Sequence, residues 1–291
     1  MKRFLWFLAA LTLALSLCLP ALAVTVTDLM GREVTAGSAQ RIVSLTPSNT
    51  EILFALGLGD RVVGVDASSN YPAEAVTLPK CGDYAGPNAE MIVSLKPDLV
   101  LAGNKLQADA IAQLEGLGLN VLAAEADTYA DIPGSIRLIA SAAGVDPVPL
   151  LNAMAQKEQV ILNAVAGKTP STVYYAVSFG DWGDYTIGPG SFIYEILEKI
   201  GAVPVTSDSP VPWPMYSLEQ IVAKNPQVIL LGDNEDRGAE IYAQEGYKDL
   251  PAVKAGRVYF INPDMSGRPA PRVLDAMEQM AEAIYGIDIP D

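Results

Sequence analysis

The sequence predicts an α/β protein built as two similar lobes with parallel sheets, joined by a long rigid helix. Three observations predict it. The stretch Asn88 to Gly103 is echoed 129 positions later by Ser217 to Gly232, with the Glu, Ile, Val, Pro, Leu and Gly positions identical. Each copy reads as an N-cap (Asn88 or Ser217), one short helix, a Pro-marked break and a buried apolar strand. A second echo matches Glu51-Ile52-Leu53 and Gly57 to Glu195-Ile196-Leu197 and Gly201. Finally, the strands alternate with helices and are apolar without period-two alternation, as in parallel sheets covered on both faces. Each lobe is therefore expected to be Rossmann-like.

Residues 1–23 read as an export signal rather than as part of the fold. Lys2 and Arg3 form its positive end, Phe4 to Leu19 its apolar core, and Ala21-Leu22-Ala23 a small-x-small cleavage pattern before Val24. The run is shorter than the ~20 residues a spanning helix needs. Lipid attachment at Cys18 is disfavoured by Leu17, which is bulkier than such a cleavage site normally allows.

The lobe spanning 24–131 begins with a short strand pair turning at Met30-Gly31. Next come strand Arg41 to Leu45 and helix Thr50 to Leu56. Ser48 or Asn49 would cap that helix, and Glu51 would sit near its positive end. Gly57 and Gly59 close it before strand Val62 to Val65. Helix Ala89 to Leu95, strand Leu99 to Ala102, a helix near Leu106 to Leu117 and strand Asn120 to Ala124 complete the lobe. Residues 132–167 are expected to be helical with a break at Gly144 to Pro149, forming a strut that restricts lobe motion. In the lobe spanning 168–291 the order repeats. It reads strand Thr172 to Val177, helix Ser191 to Ile200, strand Ala202 to Val205, helix Leu218 to Asn225 and strand Val228 to Leu231. A helix around Ala239 to Gln244, strand Arg257 to Ile261 and helix Pro271 to Tyr285 follow.

Composition removes whole classes of function. Loss of Lys2 and Arg3 with the signal takes the net charge from −15 to −17, which disfavours nucleic acid and anionic lipid as partners. The mature chain keeps one cysteine, Cys81, so it has no internal disulfide. It has no histidine, which removes the usual zinc set, the Ser-His-Asp and Cys-His nucleophile systems and a histidine-held haem. An enzyme using the paired carboxylates Asp181 and Asp184 has only loop spacing in its favour.

Ligands of such sheets bind at the strand-to-helix loops, and a groove between two lobes is a favoured place. Here those loops are aromatic: Tyr71, Tyr84, Phe179, Trp182, Tyr185 and Trp213. Pro212 and Pro214 fix the backbone on either side of Trp213. Such a lining suits a large, flat, partly apolar ligand, each aromatic contact adding about 0.5–1.5 kcal/mol beyond area. The alternative is that some rings plug the lobe interface. Asp264 and Arg268, after the last strand, would bind polar ligand edges or form an ion pair within their own loop. Glu90 and Glu219 fall two residues past a helix cap, where a carboxylate offsets the helix dipole. Their identity in both copies points to a two-point dock for a basic partner. A metal site shared between them is disfavoured because they lie on different lobes.

The chain resembles the periplasmic substrate-binding proteins of ABC importers for vitamin B12 and iron–siderophore complexes. The carriers are Arg41 to Glu51, Asn70-Tyr71-Pro72, Leu95 to Val100, Gly188 to Phe192 and Val211 to Pro214. The resemblance implies the class III, helical-backbone type of binding fold. It implies a monomer that is not an enzyme and holds no resident cofactor or metal. Val211-Pro212-Trp213-Pro214 followed by Ser217 and Glu219 resembles the vitamin B12 branch most. That implies cobalamin or a related corrinoid as ligand. Tyr84, Phe179, Trp182, Tyr185, Trp213, Asp264 and Arg268 would line its cleft. Glu90 and Glu219 would engage arginines of the membrane permease, which works with its ATPase. Tyr84 and Met265 stand where that branch carries tryptophan, and Ser68 where it carries an aromatic. The same fold with an Fe(III)–siderophore or a tyrosine-ligated haem is the alternative. The implied location is periplasmic or extracytoplasmic.

Overall fold

A computed structural model describes residues 24–178, 184–232 and 240–290. Phe179, Asp181 and Trp182 therefore lie outside the described residues. The chain opens with an antiparallel hairpin of β1 (Val24–Thr27) and β2 (Glu33–Ala36). Gly31 takes φ 80° in its turn. The Asp28 carboxylate holds that turn, accepting from the Met30 and Arg32 amides and from the Arg32 guanidinium. Burial alone would raise the Asp28 pKa, but the bonds from Arg32 outweigh it and hold the carboxyl below its ordinary value.

The first lobe then runs β3 (Ile42–Ser44), α1 (Pro47–Ala55), β4 (Val62–Val65), α2 (Ala73–Val76), α3 (Ala89–Ser94), β5 (Leu99–Ala102), α4 (Ala108–Gly116) and β6 (Val121–Ala123). Two connecting helices follow, α5 (Ile132–Ala143) and α6 (Val148–Val165). The second lobe runs β7 (Thr172–Ala176), α7 (Phe192–Lys199), β8 (Val203–Pro204), α8 (Leu218–Lys224), β9 (Val228–Leu231), α9 (Pro251–Lys254), β10 (Val258–Phe260), α10 (Pro263–Ser266) and α11 (Val273–Tyr285).

The sheets are parallel and ordered β4-β3-β5-β6 and β8-β7-β9-β10. Strand for strand, the second order repeats the first. The echo in the sequence is thus an echo in topology, and it extends to the backbone. Lys96 and Asn225, each before the Pro of its copy, share the left-handed region at φ 49° and 47°. A residue preceding proline is pushed out of the right-handed helical region, so both helices stop at the same place. Gly57 and Gly201, from the second echo, take φ 74° and 79° at the ends of α1 and α7.

One apolar cluster runs unbroken from Val34 and Leu101 in the first lobe, through Ile136 and Ile139 of α5, to Ile196, Leu230 and Met277 in the second. The lobes share a core across the junction. Helix α6 lies against α11, where Lys157 pairs with Asp275 (2.6 Å) and Glu278 (2.7 Å). The expected break in the connecting helices occurs at Gly144, which takes φ 69°.

Some elements depart from expectation. Helix α1 starts at Pro47, not Thr50. The Thr46 hydroxyl accepts from the Asn49 amide (3.2 Å), and Pro47 supplies a preset φ at the first helical position. Glu51 consequently sits in the second turn, away from the dipole end. The helix expected over 239–244 is a single 3-10 turn, Glu240–Tyr242, followed by another at Tyr247–Asp249 after Gly246 (φ 88°). Three one-turn helices were not expected, each with a proline at its start: Pro72, Pro251 and Pro263.

Candidate functional site

The loops that leave the carboxyl ends of the two sheets approach each other across the lobe junction. The central contact is a charged cluster. Glu51, with its side chain 2% exposed, accepts from Arg268 Nη1 (2.9 Å) and from Arg272 Nε (2.9 Å) and Nη2 (2.6 Å). Arg268 also donates to Asp264 (2.6 Å), to Asn70 Oδ1 (2.8 Å) and to the Ser68 carbonyl (3.3 Å). Asn70 Nδ2 closes the circuit on Asp264 Oδ2 (2.7 Å). The Tyr71 ring stacks on the Arg272 guanidinium at 3.8 Å. Burial would lower the Arg272 pKa, but the Glu51 carboxylate outweighs it and raises it. Two guanidiniums against two carboxylates leave this junction without net charge.

The repeat gives this contact a counterpart. Glu195 stands on α7 where Glu51 stands on α1, and it too reaches across. It accepts the Tyr129 backbone amide at 2.8 Å, while Lys199 lies 5.5 Å from the Tyr129 ring centroid. Both glutamates of the second echo therefore take part in interlobe contacts.

On the second lobe, residues 184–188 and 212–216 pair as a short ladder. Thr186 donates to the Pro214 carbonyl (2.9 Å), Gly188 to Pro212 (2.8 Å) and Tyr216 to Asp184 (3.0 Å). Alternation along these segments turns Thr186, Pro214 and Tyr216 inward and Tyr185, Trp213 and Met215 outward. The outward three are 45%, 46% and 61% exposed, an apolar plate on a braced backbone. Beneath it Tyr247 donates to Asp184 (2.7 Å) and Tyr216 to Asp208 (2.8 Å). The Trp213 ring meets Phe192 edge-on at 5.9 Å and keeps nearly half of its surface exposed.

On the first lobe, Glu125 sits just beyond β6. It accepts from the Ser48 hydroxyl and from the Tyr84 phenol (3.1 Å), and neighbouring Asp127 accepts from Asn104 (2.7 Å). Burial raises the Glu125 pKa despite the opposing bonds from Ser48 and Tyr84, and also raises the Tyr84 phenol. Gly103, the glycine shared by both copies of the repeat, makes room here. A Cβ on it would come within 3.0 Å of both Glu125 Oε2 and the Tyr84 oxygen.

Glu90 and Glu219 are exposed on the first turns of α3 and α8. Asn88 caps the former through the Met91 amide, and Ser217 with Gln220 forms a full capping box on the latter. A backbone amide and the Ser217 hydroxyl hold the Glu219 carboxyl below its ordinary pKa, so it stays charged. An exposed valine follows each glutamate by three residues, Val93 at 43% and Val222 at 46%. Both points thus offer a charge beside an apolar contact.

Of the residues singled out in the sequence, the structure groups Tyr185 with Trp213 on one plate. It places Tyr84 in the Glu125 cluster and Asp264 with Arg268 in the junction. The Asp264–Arg268 pair within the loop exists, but Arg268 is 8% exposed and bound to Glu51 as well. Met265 packs towards the shared core, and Ser68 gives its carbonyl to Arg268. Met215, Glu51 and Glu125 were not among the sequence candidates. Met215 was legible from its two-residue spacing to Trp213, and Glu51 from its repeat in Glu195. A hollow of about 180 Å³ lies elsewhere, between α5 and α6 beside Tyr129 and Leu274, and the outward aromatic plate does not line it.

A family model described as periplasmic binding protein matches residues 42–265. An uncharacterized ABC transporter substrate-binding lipoprotein of Bacillus subtilis, YvrC, is 36% identical over 90% of this chain and 85% of its own length. The vitamin B12-binding protein of Vibrio cholerae is 32% identical over 83% of this chain and 88% of its own. Among solved structures, the periplasmic vitamin B12 binding protein BtuF of Vibrio cholerae superposes with a TM-score of 0.75 at 31% identity, covering 85% of this chain and 97% of that one. The periplasmic heme-binding protein RhuT from Roseiflexus sp. RS-1 superposes at 0.76 with 25% identity, covering 85% and 98%.

Proposed function

This chain belongs to the periplasmic binding protein family, a non-enzymatic solute-binding fold, and from that premise we propose that it captures a corrinoid, cobalamin or a close relative, in the cleft between its lobes and delivers it to an ABC permease. The observation that carries the ligand class is the pairing of an exposed apolar plate with an electrically neutral junction. Tyr185, Trp213 and Met215 offer a face for a flat macrocycle. Asp264 and Asn70 offer carboxylate and amide groups of the kind that meet an amide fringe. Relatives over most of the chain are vitamin B12-binding proteins, and this supports the same choice. A siderophore or haem reading asks for cationic groups to meet an anionic ligand. Among the described residues the junction's two arginines are both engaged by Glu51. Lys80 is likewise turned onto the Ser69 and Ala75 carbonyls. A corrinoid whose own base ligates cobalt needs no ligand from a chain without histidine.

Delivery is assigned to Glu90 and Glu219, the exposed charged points of the two equivalent helices. The chain would be exported, its cleavable signal ending at Ala23, and act as a monomer with the permease and its ATPase. Among the described residues no helix is long and apolar enough to cross a membrane. The test is Trp213→Ala. Stacking loss from an exposed, braced indole should weaken cyanocobalamin binding at least tenfold, roughly 1.4 kcal/mol, with unchanged melting. Unchanged affinity would remove the plate from the site.

A further inference from the structure

We propose that Glu51 is a specificity-determining residue: by binding both Arg268 and Arg272 it silences the cationic end of the cleft, so that the protein accepts neutral ligands and rejects anionic ones. The inference rests on the cleft reading above and adds the ligand charge that the cleft selects. Both arginines follow β10 in the second lobe, and on their own they would form an anion site. They stand four residues apart and close to the first-lobe loop at Ser68, Asn70 and Tyr71. Glu51 comes from the other lobe and occupies three of their donor hydrogens, at 2.6 to 2.9 Å. Asp264 takes a fourth at 2.6 Å. Charge-assisted pairs of this kind are directional, so an incoming carboxylate or catecholate would have to compete with Glu51 and Asp264 for the donors they hold.

The pseudo-symmetric position argues that the charge pairing is particular to Glu51 and not a demand of the fold. Glu195, its counterpart on α7, ties the lobes through a backbone amide and needs no arginine. An interlobe tie at this position can thus be made without absorbing two positive charges. At Glu51 the tie does both. On the first-lobe side Lys80 is turned onto the Ser69 and Ala75 carbonyls. Beside Tyr84 on this side stand the acids Glu125 and Asp127.

Two variants that each remove one negative charge test this. Glu51→Gln acts at the buried tie, and Asp264→Asn acts at the half-exposed acid without touching Glu51, so a folding failure of the first leaves the second decisive. Full-length mature protein is titrated with cyanocobalamin, formally neutral, and with an iron(III) tris-catecholate, a trianion, at two salt concentrations. The inference expects the wild type to ignore the trianion. Both variants should then gain at least tenfold affinity for it, the gain shrinking as salt rises. A purely structural role would produce no such salt-dependent gain. Folded variants that bind the trianion no better than wild type would overturn the inference. If wild type fails to bind cyanocobalamin while the variants gain the trianion, the corrinoid reading falls and the role of Glu51 stands.

Discussion

Replacing Glu51 by alanine is the sharpest probe of how the lobes are held. The side chain is 2% exposed, and its partners Arg268 and Arg272 are 10% and 16% exposed, so the substitution strands charge in a poorly hydrated place. Three charge-assisted hydrogen bonds disappear. Arg268 keeps Asp264, Asn70 and the Ser68 carbonyl. Among the described residues Arg272 keeps a long bond to the Asp264 carbonyl (3.4 Å) and the Tyr71 ring. Breaking a buried pair from one side typically costs about 3–5 kcal/mol, because the remaining charge stays buried. A chain of this size loses roughly 2–4 °C of melting temperature per kcal/mol, so the fall should be roughly 6–20 °C. Circular dichroism melts and guanidinium unfolding of the 24–291 protein would measure it. Glu51→Ala combined with Arg272→Met should recover part of the loss, since the orphaned guanidinium is then gone. A loss under about 1 kcal/mol, the range of exposed pairs, would refute the argument from burial.

Other expectations follow from the same geometry. Glu90→Ala with Glu219→Ala should leave ligand affinity unchanged and abolish most transport by a reconstituted permease, since both side chains are exposed; lost affinity would contradict the division. Glu125→Gln should stabilise the protein at pH 7. The Glu125 carboxyl titrates above its ordinary value of 4.5 because burial disfavours its charge, so the folded state holds a proton that the unfolded chain releases. Wild-type stability should therefore fall as pH rises from about 4.5 through the folded pKa, while the variant's does not; parallel pH curves would refute this. Ser217→Ala removes the capping box of α8 and should cost about 1 kcal/mol in denaturant unfolding, against nearly nothing for Ser217→Asp.

Much of the architecture was legible because the determinants are local. Apolar runs such as Leu99–Ala102 and Val228–Leu231 occur as strands with the limits read from sequence. The two echoes anticipated the matching strand orders. What escaped were features set by single capping atoms or by contacts distant in sequence. Thr46 rather than Ser48 or Asn49 caps α1, and three one-turn helices depend on prolines whose neighbours carry no helical period. Glu51 and Arg268 are 217 positions apart, and no spacing rule joins them. The sequence read Glu51 through its nearest helix end, whereas its tertiary partner dominates. Of the cleft, Trp213 was visible as a loop residue between prolines, and Tyr84 and Tyr185 as aromatic loop residues. Met215 and Glu125 were missed, the first because its spacing to Trp213 marks a shared face only once the segment is known to be extended, the second because only folding brings Ser48 and Tyr84 to it.

The measurement that bears most directly on the central claim is a calorimetric titration of the mature protein, residues 24–291, with cyanocobalamin. Haem and a ferric hydroxamate siderophore would be run alongside. The account predicts saturable one-to-one binding of the corrinoid and none of the others. Uptake of haem or siderophore with no corrinoid binding would contradict it, and would move the ligand to another branch of the same family.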